Sequence, residues 1–516
     1  MNYISIYSIE KILSTSLGPK GLDKLINRQY KVYNDEGDLE YRNEIIITND
    51  GFTILKNIDI KDPILDILKN LSNSIDSKVG DGTTSGIILA CQLIRNGQML
   101  LTMNYHPNLV IKGYQLSMNK CKEVLDANAL DFSVMENGDT KILDKIISTT
   151  LSSKILSNYL HSFTRICKDI LSSLQKIPNR KHHCNYINYF KFLGGSISDT
   201  KLLKGTLYKV NSANSNWGII THLNKNILSS EIQCKVISNC PLDFSDLLSK
   251  DLNKMVTMGR DYSQTFFNDK SQLEQTRITD YIKSIRNQED SQPGYIIILS
   301  SCTSVSIQIQ KMLSDNGIVI VYSLSEDKLL KCLDQSIVTL KQVEYNNEIY
   351  LQLEKKELDE CISLILRGPT VYTIDEIQRS LNDAISILSL STGSDKCKII
   401  SGGGSIEFEL VLALEKYTQD LLKESIQNSK LCRVIKMFSQ SLESIPKLLI
   451  SNAGYDHVNL LDNIYSLHRK STLEYRHYAI DLTSGLPTNM LDHGVIEILN
   501  SKKLSLQMII DTVFSA

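Results

Sequence analysis

At 516 residues the chain exceeds what one hydrophobic core accommodates, so several domains are expected, and 42% apolar with 22% charged residues excludes a disordered chain. A formal net charge of −2 excludes a whole-molecule field that would gather nucleic acid or an anionic membrane. The opening MNYISIYSIEKIL lacks the basic, apolar and small-residue regions of a signal peptide, and no apolar run reaches the roughly eighteen residues of a membrane span, so a soluble, intracellular protein is expected.

In chain order, Tyr30 to Tyr33 and Glu44 to Thr48 are expected to form two strands around the turn-rich Asn34 to Gly37, and Asn49-Asp50-Gly51 a second tight turn. Ser85 to Leu101, SGIILACQLIRNGQMLL, is apolar on nearly every face at its start. That predicts a helix buried inside a domain, with Gly80-Asp81-Gly82 setting its N-terminus. The eleven cysteines are scattered singly from Cys91 to Cys432 without a CxxC pair, and the adjacent His182, His183 and Cys184 cannot all face one metal. Reduced, mostly buried thiols and no structural zinc are expected.

The middle of the chain changes texture. Gly259 to Gln275 carries Tyr262, Phe266 and Phe267 among polar residues, the mixture of a partly exposed loop and helix. Tyr295 to Ser300 and Ile318 to Tyr322 are short β-branched strands around the helix-forming Ser304 to Leu313. They predict a βαβ unit in a separate small α/β domain, bordered by the polar Asn287 to Gln292. From Thr373, Ile374, Ile377, Leu381, Ala384, Ile385 and Leu388 recur at spacings of three and four, a helix with Asp383 off its apolar stripe. Beyond Gly402 to Gly404, helical patterns dominate.

Chemistry concentrates in GDGTTS, Gly80 to Ser85, directly ahead of the buried helix. Glycines let backbone approach a phosphate, and the first N–H groups of a helix point at an anion together with the positive end of its dipole. Thr83, Thr84 and Ser85 add hydroxyl donors, and Asp81 offers the hard carboxylate oxygen preferred by a magnesium ion that bridges nucleotide phosphates. SLGPKG, Ser16 to Gly21, is a rigid turn with amides able to receive phosphate, and Asn49-Asp50-Gly51 is a third turn. Each also fits an ordinary capped or Asx turn, and no GK[ST] of a Walker motif occurs. For Asp383 the alternative is a solvated carboxylate paired with Arg379 one helical turn away.

The segments SLGPKGLDKLI, ITNDGFTILKNI, VGDGTTSGIILACQLI and YHPNLVIKGY, then TTLSSKIL, FLGGSISDTKLLKG, LILRGPTVYTIDEIQRSLNDAI, SGGGSIEFEL and SNAGYDHVNLL, resemble the group II chaperonins in order and spacing. Within that family they look most like the beta subunit of the eukaryotic cytosolic chaperonin, with delta next. The resemblance implies a multidomain α/β fold with a mostly helical equatorial domain. In it, 1–128 and 399–516 are equatorial, 129–201 and 355–398 intermediate, and 202–354 apical. It implies an ATP-dependent molecular chaperone subunit, a cytoplasmic ATPase using ATP and Mg2+. Its partners would be paralogous subunits of a hetero-oligomeric double ring and non-native clients such as actin and tubulin, with no nucleic acid and no membrane.

Residue by residue, the resemblance makes Asp81 the magnesium ligand. It makes Leu17, Gly18, Gly82, Thr83, Thr84, Ser85, Ser152, Ser153, Lys154, Gly403, Glu497 and Lys502 nucleotide-binding. The family's ERSxxDA pattern reads QRSLNDA here, which makes Asp383 the catalytic carboxylate, helped by Asp50. The chain departs from the family in places. SLGPKG follows only fifteen residues and the end is DTVFSA, so the segments that pair with ring neighbours look short. The apical match fades, Ser323-Leu324-Ser325 replaces a usual glycine pair, and Gln378 replaces a glutamate. These departures keep a second reading open, a chaperonin-like scaffold or assembly protein with little or no ATP turnover. A stand-alone small-molecule kinase or ATPase is the third.

Overall fold

The computed structural model describes residues 3–33, 39–58, 62–132, 140–174, 187–209, 232–237, 295–300, 318–322, 337–355, 362–392, 397–470 and 473–515. The N-terminal arm runs α1 (Tyr3–Ser14), β1 (Lys24–Tyr33), β2 (Leu39–Thr48), α2 (Gly51–Lys56), α3 (Pro63–Lys78), α4 (Thr83–Thr102), α5 (Pro107–Ala127) and β3 (Leu130–Phe132). Next come α6 (Thr140–Ser152), α7 (Leu160–Leu174), β4 (Ile187–Leu193), β5 (Lys201–Leu203) and β6 (Gly205–Lys209). The central strands are β7 (Ile232–Ile237), β8 (Tyr295–Ser300), β9 (Ile318–Tyr322), β10 (Ile337–Tyr345), β11 (Glu348–Lys355) and β12 (Ile362–Gly368), followed by α8 (Val371–Thr392). The C-terminal arm is β13 (Cys397–Ser401), α9 (Ser405–Glu424), α10 (Ser429–Asn452), α11 (His457–His468), β14 (Tyr478–Ile480), β15 (Pro487–Asn489), α12 (Met490–His493), β16 (Ile496–Ile498) and α13 (Leu499–Ser515).

Apolar residues from both arms close one helical core. Ile9 and Leu13 of α1, Leu68 of α3 and Ile87, Ile88 and Leu93 of α4 share it with Leu410 of α9, Val434 and Phe438 of α10 and Ile509 of α13. The apolar start of α4 is buried from Gly86 to Leu89, as the sequence implies, and the helix begins at Thr83 rather than Ser85. At Gly86 a β-carbon would sit 2.7 Å from Ile75 Cδ1, so the missing side chain sets how closely α3 and α4 approach.

The α8 stripe works as its spacing predicts. Ile374, Ile377, Leu381, Ala384, Ile385 and Leu388 join Leu151 of α6, Phe163 and Ile170 of α7 and Leu364 and Leu366 of β12 in a second core. β12 lies between β4, to which it is parallel, and the antiparallel β5. A bridging cluster of Ile146, Ile387, Ile399, Ile496 and Ile498 ties α6 and α8 to the sheet of order β16-β13-β3.

β1 and β2 pair antiparallel in register Lys24↔Thr48 to Tyr33↔Leu39, a hairpin longer than the two runs expected. The central sheet has the order β6-β11-β10-β7-β8-β9, with β7, β8 and β9 mutually parallel, the pairing a βαβ unit requires. The expected turn Asn34 to Gly37, helix Ser304 to Leu313, His182 to Cys184, Gly259 to Gln275, Asn287 to Gln292 and Ser323 to Ser325 lie outside the described residues. Cys91, Cys121, Cys167 and Cys432 are free and buried. Among the described residues, no helix is long and apolar enough to cross a membrane.

Candidate functional site

The GDG turn has the backbone its glycines allow: φ is +89° at Gly80 and +77° at Gly82, the left-handed region. Gly82 is the N-cap of α4 and brings no side chain to its free N–H groups. The hydroxyls beyond it are used within the protein. Thr83 Oγ1 donates to Asp50 Oδ1 at 2.8 Å, Ser85 Oγ to the Gly82 carbonyl at 2.9 Å, and Thr84 Oγ1 accepts the Gly51 N–H at 3.0 Å. Asp81 Oδ1 takes the Gly82 N–H at 2.7 Å.

Asn49-Asp50-Gly51 is more than a turn. Asp50 caps α2, accepting from the N–H groups of Phe52 and Thr53 at 3.4 and 2.8 Å and from Thr53 Oγ1 at 2.8 Å. With Thr83 as a further donor, one carboxylate locks the start of α2 to the start of α4. Asn49 Nδ2 reaches across to donate to the Ser153 carbonyl, so the turn after α6 joins the same assembly. Ser152 Oγ bonds back into its own helix, to Thr149 O at 2.8 Å.

Two residues beyond Ser152, Lys154 forms an ion pair with Asp383 of α8, the two side chains being 7% and 15% exposed. This overturns the solvated Asp383–Arg379 alternative: Arg379 instead donates to Glu376 Oε2 at 2.9 and 2.7 Å. Burial pushes the Asp383 carboxyl well above the usual carboxylate range; Lys154 opposes the rise, and Asp50 and Asp81 add to it. Burial alone would lower the Lys154 ammonium, but Asp383, Asp81 and Asp50 raise it further and keep it charged. Gly80 lies directly under α8, where a β-carbon would collide with Ser386 Cβ.

On the other side, Gly403 and Gly404 are left-handed, with φ of +66° and +88°, and lead into α9. Lys502 Nζ is shared by Glu407 and by Glu497 Oε2, the latter at 3.1 Å. A β-carbon on Gly402 would be 3.2 Å from Glu497 Oε1, so the glycine turn lies against that carboxylate. Burial raises the Glu497 carboxyl, Lys502 opposes this, and Glu407 and Asp81 add to it, which puts the Glu497 triad within electrostatic reach of the GDG turn. Leu17 and Gly18 form a turn held by α10. Asn452 Nδ2 donates to the Leu17 carbonyl at 2.9 Å, while Pro446 of the same helix backs Gly404.

Sequence reasoning missed Asp76, which interacts electrostatically with Asp50, Lys154 and Asp81, and Glu407, buried at 3% exposure against Lys502. No local pattern marks either one. Asp50, Asp76, Asp81 and Asp383 share one electrostatic neighbourhood with Lys154 and Lys56, and phosphate approaches such a carboxylate cluster more favourably when a cation accompanies it. Among the described residues no group of three or more His, Cys, Asp or Glu is placed to hold a metal alone. Magnesium takes one or two carboxylates and fills its shell with phosphate and water, and Asp81 is the carboxylate that stands at the GDG turn itself.

A family model described as the TCP-1/cpn60 chaperonin family matches residues 9–515. The chain is 29% identical to the T-complex protein 1 subunit alpha of Encephalitozoon cuniculi over 543 residues, covering 100% of this chain and 92% of that protein. It is 25% identical to a thermosome subunit of Methanothermococcus thermolithotrophicus over 526 residues, covering 98% and 88%. A thermosome subunit of Pyrococcus abyssi is 26% identical over 522 residues, covering 98% and 87%.

Proposed function

The chain belongs to the TCP-1/cpn60 chaperonin family, and from that membership we propose that it is an ATP-hydrolysing subunit of a hetero-oligomeric double ring that folds other proteins. The observation that carries this reading is the docking of α8 on the GDG turn, which brings Asp383 to Lys154 and within the field of Asp50 and Asp81. In the reaction proposed, a water oxygen bonds to the γ-phosphorus as the bond to the β,γ-bridging oxygen breaks, giving ADP and inorganic phosphate. Asp383 orients that water and takes its proton, and the free N–H groups at the start of α4 hold phosphate oxygens. Magnesium, when bound, neutralises phosphate charge, with Asp81 as its protein ligand. Phosphate arriving at Lys154 competes for the ammonium and releases Asp383 from its ion pair.

The finer parts of the reading are the division into equatorial 1–128 and 399–516, intermediate 129–201 and 355–398, and apical 202–354, a beta-type place in the ring, a cytoplasmic setting, and actin- or tubulin-like clients. They rest on the motifs quoted above. In the assembled ring, Asp383→Ala is expected to keep Mg-ATP binding and to lower hydrolysis at that subunit's site by about a hundredfold or more. Unchanged turnover there would remove Asp383 from the mechanism, and native mass measurement of a lone chain would favour the scaffold reading.

A further inference from the structure

Three polar side chains stand directly behind the glycine turn that precedes α9. Ser405 Oγ lies 2.7 Å from Ser401 Oγ and 3.0 Å from the Gly402 carbonyl, and the Ser401 hydroxyl meets His477 Nδ1 at 3.2 Å. The serines are 1% and 0% exposed, so neither is reachable as a nucleophile, and their bonds act on the backbone between them. Gly402 is also tied through its N–H to the Val495 carbonyl at 3.0 Å.

A hydroxyl has one proton to give, and an imidazole Nδ1 either gives or takes one, so this chain of bonds runs in two directions. With Nδ1 bare, Ser401 donates to His477 and Ser405 donates to Ser401. With Nδ1 protonated, His477 donates to Ser401, Ser401 to Ser405, and Ser405 to the Gly402 carbonyl. Both arrangements satisfy every buried group, and they differ in what holds the turn. We propose that the neutral His477 ring carries its proton on Nε2 and that His477 is a positioning residue for Gly402–Gly404: uptake of one proton from solvent at Nδ1 reverses the hydroxyl chain and fastens Ser405 to the Gly402 carbonyl. Its bearing on nucleotide rests on the function proposed above.

The groups facing His477 are Glu409 of α9, Arg476 beside it, His468 of α11 and Asp492 of α12. Burial dominates and holds the imidazole below its ordinary value; Glu409 and Asp492 pull it up, and Arg476 and His468 push it down. His468 is itself bonded to Glu409 at 2.6 Å and to the Tyr478 carbonyl at 2.9 Å. The reversal therefore falls on the acid side of an ordinary imidazole's midpoint.

Hydrogen exchange of the 401–405 backbone in the full nucleotide-free chain, followed from about pH 8 to pH 5 and corrected for intrinsic rates, tests this. Wild type is expected to gain several-fold protection at the turn as pH falls through the step. His477→Asn, which keeps a hydrogen-bonding group beside Ser401 but does not titrate, and Ser401→Ala, which cuts the chain of bonds, are each expected to lose the step. Glu409→Gln is expected to move it to lower pH. A His477→Asn profile that coincides with wild type overturns the proposal, whatever Ser401→Ala does to folding. Mg-ATP affinity measured over the same range separates the two readings: a chain that shows the step yet binds no Mg-ATP keeps the relay and loses the nucleotide function.

Discussion

Burial lifts the Asp76 carboxyl to about 6, Asp50 adds to the rise, and Lys154 opposes it. A carboxyl raised in the folded chain costs no stability below about pH 4, where it is protonated folded or unfolded; the cost grows as pH climbs to about 6 and is complete above. Asp76→Asn is therefore expected to raise the thermal midpoint at about pH 8 and to change it little near pH 4. Equal shifts at both would mean that Asp76 is not the titrating group. Gly80, at the same end of α3, shows the complementary constraint: its φ of +89° and its contact with Ser386 both exclude a side chain.

At the scale of elements, α8 has two faces with different work. One buries Ile377 and Leu381, each 0% exposed, against α6, α7 and β12, and the other presents Asp383 and Ser386 to the GDG turn. Tyr189 of β4 fastens the helix further by donating to Asn382 Oδ1 at 2.5 Å. Leu381→Ala is expected to cost about 2–5 kcal/mol and to raise amide exchange along α8 while the start of α4 stays protected. Exchange unchanged along α8 would show that the stripe does not hold the helix.

Such an element was legible in the sequence because its signal is local: a stripe of period 3.6, or glycines just ahead of an apolar helix. The partners were not. Lys154 meets Asp383 across 229 residues, Glu407 meets Lys502 across 95, and Ser401 meets His477 across 76, separations over which no spacing rule operates. Asp50 was half-legible: the Asx turn was visible, but its bond to Thr83 needs two helices side by side.

Over the whole molecule the fold is the multidomain α/β chaperonin architecture, with a mostly helical body built from the two ends of the chain. α1 to α5 leave the ribosome without α9, α10 and α13, which cover them. Roughly 280 residues separate Ala127 from Ser405, and at about 5–20 residues per second their synthesis takes on the order of 15–50 s. For that interval Leu68, Ile88 and Leu93 have nothing to pack on from the far arm. A chain cut before Ser405 is therefore expected to be readily digested by protease in the α1–α5 region, and resistance there would show that the N-terminal helices fold alone. A protein proposed to shelter unfinished chains is thus, during its own birth, an unfinished chain itself, with an exposed greasy half that has to be kept from its neighbours until the last helix emerges.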